Sequence, residues 1–286
     1  MKKVFFTLLA ACTLLTSNAF AQDALLASIL DIISPVEVSK MIREQGIAYN
    51  NGILNKVTNL PNYTSEFKRA ANLGVFSTDL GYATINDKSM DALTYMNTVK
   101  KLAETMKVGQ FINTSKIMQL AANKDDMNKL LQETTSTFEN ISNHLDKQKK
   151  ANLAAVMLVG GWLEMFYITC EVAKTKPSAE LSDRIVGQNL ILVKVLDVLK
   201  PYTKDADTKK LAEKLGELSK VLDTYKIEVT ASNKEEPKTE IKKDKDGNDI
   251  LVTVSSESPS KEVNLTAEDI AKIASKVADI RKSIVE

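Results

Sequence analysis

The sequence predicts an all-α fold: an antiparallel helical bundle with a small C-terminal β-hairpin insertion. Three observations carry the prediction. From about residue 65 to 225 apolar residues recur at intervals of three and four, the period of an amphipathic helix. The 286-residue chain holds only 10 glycines and 6 prolines, few for a turn-rich β protein. Between 226 and 263 the helical pattern stops and a short run with a two-residue period replaces it.

The chain opens MKKVFFTLLAACTLLTSNAFAQ. Lys2 and Lys3 precede an apolar stretch from Val4 to about Leu15, and Ala19 and Ala21 supply the small residues of a cleavage site. This order predicts a secretory signal peptide over 1–21 and a single helical domain over 22–286. A second reading takes Leu9-Ala10-Ala11-Cys12 as a lipoprotein box that leaves Cys12 acylated. The apolar stretch before Cys12 is short and continues beyond it, which favours release after Ala21.

Past the leader, Leu25, Leu26, Ile29, Ile32 and Ile33 form a short helical stripe. Ser34, Pro35 and Glu37 read as N-cap, N1 and N3 of a helix that Gly46 stops. The Asn-rich segment 47–65, with Pro61, reads as partly loop. Helices are expected over 65–85, 89–107, 125–147, 151–174, 178–200 and 206–225. The 125–147 seam of Met127, Leu131, Thr134, Phe138, Ile141 and Leu145 is the clearest.

In 226–263, Ile250, Val252 and Val254 alternate with Leu251, Thr253 and Ser255, and Asp246-Gly247 separates them from KTEIKK. That is hairpin chemistry, or a mobile loop that becomes a hairpin. Thr266 and Asp269 resemble a capping box opening a last helix, whose seam should pack antiparallel on that of 211–225. With an offset of 85, LGVFSTDLGYAT falls on LVGGWLEMFYIT, matching Asp79 to Glu164 and Tyr82 to Tyr167. The two segments read as copies of one central helix.

Composition excludes several functions. The chain carries 38 Lys and Arg against 37 Asp and Glu, so no basic excess points to nucleic acid. Cys12 lies in the leader, which leaves Cys170 as the one thiol of the mature chain and no internal disulfide. His144 is the sole histidine, so a histidine-rich metal site is excluded. DKDGND at 244–249 fails as a calcium loop, because Lys242 and Thr253 would hold its first and twelfth places. No cofactor or metal is expected.

The apolar run 151–170 is long enough to span a bilayer. Glu164 at its centre, and amphipathic neighbours that need an apolar partner, favour a buried core helix instead. Asp79 likewise interrupts an apolar face, and each acid has a tyrosine three residues on. Asp79, Tyr82, Glu164 and Tyr167 are therefore the candidate pocket residues. Two buried carboxylates act as acid and base, hold a cation, or serve only to fix helix register.

LGVFSTDLGYATINDKSMDALTYMNTVKKLAE and GGWLEMFYIT, with the leader ending NAFAQ, resemble exported all-helical proteins of the Bacteroidetes that lack an assigned function. The resemblance covers about 60–200. It implies residence in the periplasm or at the outer membrane and a compact helical fold, and it implies no activity. The expected function is a non-enzymatic periplasmic binding or scaffold protein with a protein or small-molecule partner in the envelope. The alternatives are a pocket protein or enzyme using Asp79 and Glu164, and an outer-membrane lipoprotein anchored at Cys12.

Overall fold

The computed structural model describes residues 35–121, 127–225, 238–243, 249–254 and 264–286. The leader, Cys12 and the 25–33 stripe lie outside the described residues. Helix α1 spans Pro35–Glu44 and ends where Gly46, at φ 65°, returns its N–H to the Arg43 carbonyl. The Asn-rich segment makes two 3-10 turns, Asn51–Ile53 and Val57–Asn62. Ser65 caps α2, Glu66–Ile85, and α3 follows over Ser89–Thr105. Lys107, at φ 61°, turns the chain out of α3.

An eight-residue helix, α4, Thr114–Ala121, stands where no helix was expected. Next come α5 (Met127–Lys147), α6 (Ala151–Thr175) and α7 (Ala179–Leu199, capped by Ser178). Asp205 caps α8, Ala206–Leu222, and Thr266 with Asp269 makes the full capping box of α9, Ala267–Val285.

Helix α6 is the axis of the fold. It is long and apolar enough to cross a membrane, yet 89% of its most apolar window is buried beneath α2, α5, α7 and α9. Trp162, Leu163, Phe166 and Ile168 are at most 2% exposed, and burying each such side chain contributes about 1.5–3 kcal/mol. Helices α8 and α9 run antiparallel, as their seams predict. Tyr225 at the end of one meets Asp269 at the start of the other, and Glu217 meets Lys276 midway.

Two parts of the expected fold class are corrected. First, the bundle is not antiparallel at its centre. Glu66 pairs with Lys150 at the two N-termini. Further on, Gly74 faces Met157, and Thr78 donates to the Gly161 carbonyl at 3.0 Å. Helices α2 and α6 therefore run side by side in the same direction, offset by about 85 residues, the spacing of the weak sequence repeat. Parallel packing is possible because α3, α4 and α5 carry the chain back to its starting end. The approach is backbone against backbone: a methyl group on Gly74 would lie 2.0 Å from the Met157 oxygen, and one on Gly160 2.1 Å from the Ala71 oxygen.

Second, the fold is all-helical, and a β-hairpin forms no part of it. Two extended segments, Lys238–Lys243 and Asp249–Val254, pair antiparallel with each other and with no further strand. Such an isolated two-strand ribbon is marginal in water. The Asp246-Gly247 turn lies outside the described residues.

Candidate functional site

Asp79 on α2 and Glu164 on α6 meet because the two helices run parallel and in step. Both are fully buried. The residue that joins them is Arg281 of α9, whose side chain is 12% exposed. Its Nε donates to one Glu164 carboxylate oxygen at 2.5 Å and its Nη2 to the other at 2.6 Å, a bidentate, charge-assisted fork. The guanidinium also lies 4.2 Å from the centre of the Tyr167 ring and donates to the Ile53 carbonyl at 3.3 Å. Burial alone would lower its pKa. The adjacent Glu164 charge and hydrogen bonds reverse that effect and hold Arg281 protonated.

Asp79 is different in kind. Its Oδ2 accepts the Asn55 backbone N–H at 3.2 Å, and Oδ1 accepts no hydrogen bond. Burial, then the Glu164 charge beside it, push its pKa well above the usual carboxylate range, against the opposing pull of Arg281. Burial and the neighbouring Glu164 thus both favour the protonated form of Asp79. The cluster sets two buried carboxyl groups beside one guanidinium.

Around it runs a closed polar network. Asn55 Nδ2 donates to the Tyr63 hydroxyl at 2.9 Å and to Asn72 Oδ1 at 3.2 Å. Tyr63 donates to the Val285 carbonyl, Asn72 to the Ile284 carbonyl, and Tyr95 to the Asn55 carbonyl. Loop 47–65, α2, α3 and the last turn of α9 are thus tied together through one asparagine.

Of the four expected pocket residues, the fold brings together Asp79, Glu164 and Tyr167. Tyr82 turns away and stacks on Tyr49 with ring centres 5.2 Å apart. Arg281 was missed, although it occupies a seam position: Ile270, Ala274, Val277, Arg281 and Ile284 follow steps of four and three. A cation in an apolar seam is the sign of an acid in the facing core.

Because Asp79 has a raised folded pKa, the native state holds a proton that the unfolded chain releases above about 3.8. Its contribution is fully present below that pH and is lost as pH rises toward the folded pKa, by up to about 1.4 kcal/mol per unit. Asp79→Asn keeps a donor toward Glu164 without a proton to lose. Its melting temperature, measured from pH 4 to pH 7, should rise steadily relative to wild type. A pH-independent difference would refute the raised pKa of Asp79.

Only the Arg281 side chain of the cluster, at 12%, reaches the surface among the described residues; both carboxyl groups are fully buried. Neither carboxylate lines the described cavities, all of which lie elsewhere. Cys170 is also fully buried, and burial raises its thiol pKa. His144 is half-buried against Phe111. Among the described residues no group of three His, Cys, Asp or Glu could hold a metal ion.

The accessible feature is a cavity of about 220 Å³ among α2, α3, α4, α5 and α6. Leu73, Leu80, Val99, Ile117, Phe138 and Leu158 are among its walls, and among the described residues no charged side chain lines it. Several of its hydroxyls are turned back on the backbone: Ser77 donates to Leu73, Thr78 to Gly161 and Thr134 to Leu131. Gly81 faces the cavity, and a methyl group there would touch nothing within 4 Å. Trp162, the sole tryptophan, lines it from α6. No family model, no curated protein and no solved structure matches this chain, so its function is read from the sealed ionic cluster and the open apolar cavity.

Proposed function

We propose that the protein is an exported, non-enzymatic binding protein of the cell envelope that takes a small, uncharged, apolar ligand into the cavity between α2 and α5. The observation that carries this reading is the cavity wall, whose described residues are mostly apolar and carry no charge. The walls of an apolar cavity of about 220 Å³ lack the close contacts that a bound apolar group would supply. A cavity of roughly 150 Å³ with similar walls takes up benzene, so this one suits a single ring or a short aliphatic chain. The sealed carboxylates argue against acid–base chemistry at Asp79 and Glu164, which need a substrate within reach. The leader over 1–21 and the resemblance to exported helical proteins of the Bacteroidetes support residence in the periplasm, with anchoring at Cys12 as the other envelope form.

The test compares 1-octanol with octanoate, the same chain bearing a charge. Octanol is expected to raise the melting temperature and change Trp162 emission, with a stabilisation of about 2.7 kcal/mol at a hundred times its Kd. Octanoate should do neither. Gly81→Leu fills the cavity from an open helical position, so it should abolish the octanol response while raising the melting temperature. If octanol leaves both signals flat up to saturation, the reading fails.

A further inference from the structure

A second apolar surface lies on the far side of Trp162. It is a groove of about 680 Å³ between α6 and α7, bordered by Val38 of α1. Phe166 and Ile191 line it, and Leu190 and Val193 stand 76% and 52% exposed along it. Gly187 also lines it, and a methyl group there would meet nothing within 4 Å.

We propose that this groove is the docking site for residues 25–33 of the same chain. That segment carries Leu25, Leu26, Ile29, Ile32 and Ile33 at the spacing of one helical stripe. It ends one residue before Ser34 and the start of α1, and Val38, one turn into α1, already borders the groove. Little chain is therefore needed to reach the site. As a helix the nine residues span about 13 Å, against about 16 Å of α7 between Asp183 and Lys194. The charges agree as well. The segment and its N-terminal flank bring Asp23 and Asp31, and the groove offers Arg184 and Lys194 beside a single acid, Asp183. Docking would cover Leu190 and Val193.

The experiment uses the chain from Gln22 to Glu286 and reads the melting temperature, the Trp162 emission and the mass in solution. Gly187→Leu gives opposite signs in the two cases. On an open helix face it replaces glycine by a strong helix former and raises the melting temperature by a few degrees. In an occupied groove the new side chain displaces the segment and lowers it. The proposal expects the fall, together with a fall of several degrees and a red shift of Trp162 emission for Leu26→Asp with Ile29→Asp. A rise for Gly187→Leu with a silent Leu26→Asp, Ile29→Asp double variant overturns it. So does a dimer whose melting temperature depends on concentration and which Gly187→Leu dissociates, because the occupant is then a second copy.

Discussion

Arg281→Met is expected to lower stability by about 3–5 kcal/mol, the usual cost of removing one partner from a buried ion pair. For a domain of this size that lowers the melting temperature by on the order of 10 °C. The magnitude follows from what remains. Glu164 is fully buried and takes both of its short contacts from Arg281, so the variant leaves a carboxylate in the core without its counter-charge. Methionine keeps most of the volume, which limits the cavity contribution. The double variant Glu164→Leu, Arg281→Met removes both charges and should recover most of the loss, because replacing a whole buried pair by apolar groups is often neutral or stabilising. Thermal melts of wild type, single and double variants decide the matter. A double variant that melts below Arg281→Met would show that the pair does more than satisfy itself.

Gly160→Ala should cost about 2–3 kcal/mol, against an expected gain of up to about 1 kcal/mol for the same exchange on an open helix face. The added methyl would sit 2.1 Å from the Ala71 carbonyl oxygen. A backbone atom cannot move aside by changing rotamer, so α2 and α6 must separate. That separation also pulls Asp79 from Glu164. Gly81→Ala on the same helix pair is the control, since nothing lies within 4 Å of its new methyl, and it should stabilise by about 0.5–1 kcal/mol. If both alanine variants melt alike, the close approach of α2 and α6 is not a constraint.

Helix positions were readable because burial on one face writes a period of three to four into each segment, and the Thr266 capping box marks the start of the last one. Helix α4 was not readable, since eight residues hold barely two turns of a stripe. The direction of α6 relative to α2 was also hidden. Apolar seams say which faces are covered but not which way the covering helix runs. At the site, Asp79 and Glu164 stood out as acids within apolar faces. Their meeting with Arg281 did not, because the arginine lies 117 positions beyond Glu164 and a single sequence records no such distance. Tyr82 shared the local pattern of Tyr167 yet packs on Tyr49, because residues 47–53 cover that end of α2. The open apolar cavity left only small traces, chiefly Gly81 and the hydroxyl residues of α5.

The long reach of Arg281 bears on how the protein is made. Glu164 has its counter-charge only after a further 117 residues have been added, and Asn72 waits 212 residues for the Ile284 carbonyl. A growing chain therefore cannot finish its interior from the front. The acid-bearing helices must stay apart or wet until the final helix arrives. The interior is thus closed from the C-terminal side, by the helix that carries Arg281.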